Sequence, residues 1–315
     1  MNTPFSMPSL TASEQVLRLL FKAVPAKTAM FEFLSRFGYG RRVPSFYNLT
    51  TPLLQLIFGT QNIHFGCHDG PDTLEWRAGQ KRLTERVAQA IDPKPGQRIL
   101  DVGSGLGGPA LEIAASRQCS IEGISLTGFH VEKARRHAEA AVRSNVVVFR
   151  QGDAQQMPYA SREFDHAYAI ESLSHMPNKG RAIQEIARVT RSSARLALVD
   201  AALADEEAFK RYRDTGFFCA FIGVNFEDWA RPGEIDRHLA GAGFHTTVEE
   251  DWTAQVFHES KPWKAWLSNQ RGEIERYYGK DAYALVTRLF DVTFDLFSRR
   301  IIEYRFRVAE KRGTD

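Results

Sequence analysis

The chain is poor in cysteine. Three are present, Cys67, Cys119 and Cys219, an odd number at wide spacing. That excludes a disulfide framework and points to a reducing compartment. Blocks of like charge are missing too. The formal net charge is +3, and the basic pairs Arg41-Arg42, Arg135-Arg136 and Arg299-Arg300 stand alone. A nucleic-acid binder concentrates such residues in a stripe, so nucleic acid is not an expected partner. No run approaches the roughly 20 apolar residues of a membrane span. The first thirty residues hold no apolar core behind a basic lead, so no secretory leader is expected. Internal repeats and low-complexity tracts are also absent. The expectation is a cytoplasmic protein without a membrane span. Its oligomeric state is open, with a homodimer the one assembly to consider.

What is there suits a folded enzyme-sized body. The 315 residues are 43% hydrophobic and 25% charged, enough for one large core with additions. Apolar residues at threes and fours predict helix over residues 11–37, divided by Pro25. Gly38–Pro44 is expected to be a break and Phe46–Asp72 irregular. A helix is expected at 73–91.

From Arg98 the pattern changes. Short apolar runs predict strands at Arg98–Val102, Ser120–Ile124, Val146–Phe149, Phe164–Ile170 and Arg195–Ala201. Between them Pro109–Arg117, Thr127–Arg143 and Lys179–Val189 read as helices. This alternation predicts an α/β fold, a doubly wound, mainly parallel sheet. Asp205–Trp229 is an aromatic-rich helical insertion. Gly233–Ala240 is helical, Phe244–Glu249 a strand, residues 252–299 helical again, and Ile301–Val308 the seventh strand.

The most informative segment is Asp101-Val102-Gly103-Ser104-Gly105-Leu106-Gly107-Gly108. It leaves an apolar strand and opens a helix. Glycines there let the backbone approach a ligand closely, and a helix start offers free N–H groups. Ligands of open α/β sheets bind at the carboxyl ends of strands, where this turn lies. A glycine-rich turn alone would also suit a dinucleotide. The acidic Asp101 directly before the glycines argues against that, because a pyrophosphate loop follows an apolar strand end.

Residues Ile99–Ala110 resemble the first motif of class I S-adenosylmethionine (SAM) methyltransferases. Further segments follow in that family's order: Gly123-Ile124-Ser125, Gly152-Asp153-Ala154 with Met157-Pro158, Phe164-Asp165, and Ile170-Glu171-Ser172-Leu173-Ser174-His175-Met176-Pro177. The match covers about residues 80–200. The last segment is similar to the sterol and tocopherol C-methyltransferases and to the sugar O-methyltransferases of antibiotic pathways. Tyr47-Asn48 and His64-Phe65-Gly66 are similar to the Tyr-Asp and His-x-Gly elements of their lids, with Asn48 where Asp is usual.

The resemblance implies a Rossmann-like seven-stranded sheet with helical cap insertions. Its parts would be a helical lid at 1–75, a SAM-binding core at 76–201, a cap insertion at 202–231, a core continuation at 232–251, a second cap insertion at 252–299, and the last strand and tail at 300–315. It implies SAM as cofactor. Asp101, Gly103, Ser104, Gly105 and Gly107 would line its methionine part. Ser125, with Leu126 after it, stands where many members place a ribose-binding carboxylate. His130 stands where the subgroup has Gln. Asp153 would accept the adenine amino group beside Ala154, with Ile170 adding to the pocket wall. Tyr47, His64 and Phe65 would form the lid over the substrate.

Methyl transfer needs alignment and exclusion of water more than covalent help. For an acceptor carrying a proton, a base is added. His175 is the first candidate catalytic residue, since an unperturbed imidazole titrates near pH 6.5. Glu171 is the second, as a base, as a stabiliser of a cation, or as a brace for the backbone. His64, Cys67, His68 and Asp69 are metal-ligand types, but no second cluster completes a zinc site, so no metal is expected. The aromatics of the insertions serve as core and as pocket wall. They favour a small hydrophobic or aromatic acceptor in specialised metabolism, methylated on oxygen or carbon. An isoprenoid or prenyl diphosphate alkene methylated through a carbocation is the alternative. A non-catalytic SAM-fold binding protein is the alternative of another class.

Overall fold

The computed structural model describes residues 38–59, 61–70, 76–143, 145–258 and 260–312. The helices expected over 11–37 lie outside the described residues.

Seven strands form one sheet. They are β1 (Arg98–Val102), β2 (Ser120–Ser125), β3 (Val147–Gln151), β4 (His166–Ile170), β5 (Arg195–Leu203), β6 (Phe244–Asp251) and β7 (Ile302–Lys311). Their spatial order is β3-β2-β1-β4-β5-β7-β6. The first five pair in parallel, and β7 runs antiparallel to both β5 and β6. Alternate residues serve opposite faces, as the pleat requires. Ile99, Ile121 and Val199 enter one apolar cluster, and Leu100, Ile124 and Leu198 enter the other.

The strand order reverses between β1 and β4. Parallel strands on either side carry their loops away in opposite directions there, which opens a crevice at the carboxyl ends. The glycine turn after β1 and the segment after β4 border that crevice.

The reading of the segment before β1 needs correction. Gly38–Pro44 is no break and Phe46–Asp72 is not all irregular. A helix, α1, runs over Tyr39–Phe58 with Pro44 and Pro52 inside it. An interior proline costs roughly 3 kcal/mol through its missing N–H. Burial offsets that cost, because Val43, Phe46, Leu53, Leu56 and Ile57 are all buried and each contributes about 1.5–3 kcal/mol. Helix α2 (Trp76–Ile91) follows.

The regular core agrees with the reading to within a few residues. Phe164 makes only an isolated bridge to Thr190, and β4 begins at His166. Beyond β5 come short helices at Glu206–Arg211 and Thr215–Ile222, and beyond β6 a helical run ending in Lys280–Ser298. Among the described residues no helix is long and apolar enough to cross a membrane.

Candidate active site

The turn after β1 is built from left-handed glycines. Gly103, Gly105 and Gly107 have φ of +85°, +49° and +82°, a region that L side chains avoid. Gly103 and Ser104 both donate their N–H to Ile124 O, at 2.9 and 3.0 Å. A Cβ on Gly103 would stand 2.3 Å from Ser172 Cβ. The turn after β1 and the turn after β4 are therefore interlocked.

Above this turn lies a cleft that is open to solvent. Asp101, Gly103, Ser104 and Gly105 form its floor, and Ser125, Leu126 and His130 one side. Ala154 and Ile170 face it as well. Two expected residues do not line it. Gly107 lies beneath, where a Cβ would strike the Phe149 ring at 2.5 Å, so this glycine serves helix-to-sheet packing. Asp153 is turned to Gln155, accepting its N–H at 2.8 Å.

Asp101 is 3% exposed, and Oδ2 has no hydrogen-bond partner. Burial pushes its carboxyl up to about 7, with the neighbouring Tyr168 phenol acting the other way. Ser104 Oγ is likewise buried without a partner. Polar atoms left so cost free energy unless a ligand satisfies them. This chemistry fits the cationic and hydroxyl groups of SAM.

The N-terminal segment closes over the turn. A Cβ on Gly108 would meet Asn62 Oδ1 at 1.8 Å, so the segment lies directly on the helix start. Gln80 of α2 holds it by donating to Asn62 O at 2.9 Å and to His64 O at 2.7 Å. His64 faces the cleft, and its Nδ1 lies 2.7 Å from Phe65 O. Cys67 and His68 are packed under α2, where a Cβ on Gly79 would overlap the His68 ring.

Behind the cleft lies a second cavity, with aromatic and aliphatic walls. Phe46, Phe65, Phe218, Trp229 and Phe290 contribute rings. Tyr47, Ile63, Glu171 and His175 border both spaces. The two candidate catalytic residues thus stand on the wall between a polar cleft and an apolar cavity.

His175 ends the 3₁₀ turn Leu173–His175. Its Nε2 lies 2.9 Å from Tyr47 Oη. The Tyr47 ring also lies 4.7 Å from that of His130, tilted at 56°. Burial, then the positive charges of Arg42 and Lys179, push the His175 imidazole down to about 4. It is uncharged at neutral pH. Burial holds His130 near 3 and His64 near 4 as well, and it raises the Tyr47 phenol above its usual range.

Glu171 carries a φ of +48°, rare for a residue with a side chain. Its N–H is held by Val199 O at 2.7 Å. Oε1 accepts two bonds, from Phe65 N–H at 2.7 Å and from Tyr304 Oη at 2.6 Å. The carboxylate thereby joins the N-terminal segment to β7.

Tyr304 and Asp200 did not stand out in the sequence. Asp200 borders the apolar cavity and accepts the Ser174 N–H at 2.9 Å. Its carboxyl is raised by burial. Its place near the carboxyl end of β5 was a usable signal. Tyr304 had none, because it arrives on an antiparallel strand whose partner the sequence does not name.

Comparison with known proteins agrees with this geometry. A methyltransferase-domain family model matches residues 93–251. The chain belongs to the SAM-dependent methyltransferases. It is 38% identical over 211 residues to the 27-O-demethylrifamycin SV methyltransferase of Amycolatopsis mediterranei, covering 65% of this chain and 74% of that one. It is 41% identical to an O-methyltransferase of Pyrenophora dematioidea over 45% of this chain, a match that spans only 54% of the relative's length. Among solved structures it resembles the (4+2)-cyclase SpnF, with a TM-score of 0.75 and 27% identity over 88% of this chain and 98% of that one. The last likeness shows that this architecture also serves chemistry other than methyl transfer.

Proposed function

We propose that the protein O-methylates an apolar small molecule of natural-product biosynthesis, with the cofactor in the open cleft and the acceptor in the aromatic cavity. The observation that carries this reading is the shared wall. Tyr47, Glu171 and His175 are the polar side chains that face both spaces, and a transferred methyl must pass between two such spaces.

Asp101, Ser104 and the glycine turn would hold the amino-acid part of SAM, and Ser125 and His130 would face its ribose. Bound there, SAM supplies a methyl group already activated by the sulfonium. The chain's own work is alignment, dehydration and proton removal. Burial keeps His175 in its proton-accepting form at neutral pH. In the tautomer that leaves Nε2 bare, Tyr47 donates to it. The acceptor's hydroxyl proton passes to Tyr47 Oη as Tyr47's own proton passes to His175 Nε2. Glu171, engaged by two donors, holds the lid segment shut and keeps water out. The segments 38–70, 202–231 and 252–299 form the cap around both spaces.

A second reading has support in the same geometry. A carboxylate facing both spaces would stabilise a carbocation formed by methylating an alkene carbon, which makes Glu171 the key group.

The test is product mass spectrometry with purified protein, SAM and a panel of apolar alcohols, phenols and alkenes. A methyl ether formed with equimolar S-adenosylhomocysteine supports O-transfer. A C-methylated product supports the second reading. SAM binding with no methylated product from any acceptor would favour a SAM-fold protein of other activity.

A further inference from the structure

Tyr47 and Thr51 sit one turn apart on α1, so both side chains leave the same face of the helix. Each engages a histidine from a different part of the core. Tyr47 Oη meets His175 Nε2, and Thr51 Oγ1 lies 2.8 Å from His130 Nε2. A helical threonine commonly turns its hydroxyl back to the carbonyl four residues earlier. Thr50 does so, donating to Phe46 O at 2.9 Å. Thr51 instead reaches across to the helix Gly128–Ala140 after β2, which carries His130 in its first turn.

His130 is buried and lines the open cleft. Thr51 is fully buried and is on the wall of neither the cleft nor the aromatic cavity. The Tyr47 ring packs against the same imidazole. Neighbouring residues of α1 therefore fix the His130 ring by a hydrogen bond and by a ring contact. A hydroxyl both donates and accepts, so Thr51 satisfies Nε2 whichever ring nitrogen carries the proton. A ligand that meets His130 from the cleft gains from a ring already held in place. By linkage, that ligand also strengthens the hold on α1, the helix that presents Tyr47 to His175.

We propose that Thr51 is a positioning residue that holds the His130 imidazole against the ribose side of the cleft, so that bound cofactor tightens α1 and seats Tyr47 on His175. The inference rests on the cofactor assignment above. It goes beyond that assignment by tying occupancy of the cleft to assembly of the proton relay. Thr51 acts through His130, since its own side chain does not reach the cleft.

The full chain is titrated calorimetrically with S-adenosylhomocysteine, with circular dichroism as the check on folding. Thr51→Val keeps the shape and removes the hydroxyl. It should weaken binding on the order of 10-fold, the scale of one buried hydrogen bond. Thr51→Ser should bind close to the wild type. In a His130→Ala background, Thr51→Val should add no further loss, because the two side chains act as one unit. Hydrogen exchange at saturating ligand is the second readout. S-adenosylhomocysteine should slow exchange along α1 in the wild type and in Thr51→Ser, and much less in Thr51→Val. Wild-type affinity in Thr51→Val overturns the inference. So does an equal loss in Thr51→Ser, and so does a full extra loss on His130→Ala. Should Thr51→Val fail to fold, Thr51→Ala carries the same comparisons. A wild-type chain that does not bind S-adenosylhomocysteine would instead overturn the cofactor reading, and this inference with it.

Discussion

Tyr47 of α1 and His175 after β4 are 128 positions apart in sequence, yet Tyr47 Oη stands 2.9 Å from His175 Nε2. The pair is assembled only when the N-terminal helix docks on the sheet. His175→Ala should lower the methylation rate by about 10²–10⁴-fold, the usual range for a general base, with little change in SAM affinity. Tyr47→Phe should keep the ring packed against His130 and lose the relay, lowering kcat more than it raises KM. Because the base form is needed and burial holds the imidazole near 4, the rising limb of the pH–rate profile belongs near pH 4, not near neutrality. A limb near 6.5 that vanishes in Tyr47→Phe would show an imidazole exposed to solvent during turnover.

Gly103 leaves no room for a side chain. A Cβ there meets Ser172 at 2.3 Å on a backbone of φ +85°. Gly103→Ala should therefore weaken SAM binding severely in a folded protein, as read by calorimetry alongside circular dichroism. Adding Ser172→Gly should restore part of the affinity, since it relieves the overlap but not the backbone strain. Unchanged affinity in Gly103→Ala would remove the turn from the cofactor site.

If Asp101 meets the cofactor, binding should depend on pH. Its carboxyl, pushed up to about 7 by burial, is protonated below that value in the free protein. A cationic ligand group needs the carboxylate. SAM affinity should be full above pH 7 and fall as pH drops through it, approaching tenfold per unit by linkage. Asp101→Asn should bind weakly at every pH and lose this slope. A flat profile in the wild type would show that Asp101 does not meet the ligand's charge.

Arg42 of α1 and Asp228 form an ion pair whose members are 2% and 6% exposed. Asp228→Ala leaves a guanidinium buried without its counter-charge and should cost roughly 3–5 kcal/mol, measured as a lowered urea midpoint. Replacing both, Arg42→Met with Asp228→Leu, should cost much less, because the desolvation of two charges is removed with the pair. Equal losses in the two proteins would mean that packing, not charge, decides the joint.

The core was legible because its signals are local. Short apolar runs between helical periods mark β1 to β5, and Asp101 followed by Gly103, Gly105 and Gly107 marks the turn by backbone needs that no distant residue alters. Helix α1 departs from the expected break and irregular stretch. Pro44 and Pro52 are helix breakers in isolation, and only burial of Phe46, Leu53 and Ile57 against the rest of the molecule outweighs them.

The sequence alone determined the α/β class, the glycine turn and the candidate status of Glu171 and His175, since each depends on residue types at short spacing. Tertiary structure decided what those groups face and how they titrate. It set Tyr47 on His175, joined Tyr304 and Phe65 to Glu171, turned Asp153 toward Gln155, and placed Asp200 on the aromatic cavity. Burial then moved the His175 imidazole down and the Asp101 carboxyl up. Desolvation and long-range contact are properties of the folded surroundings, so no local pattern could carry them.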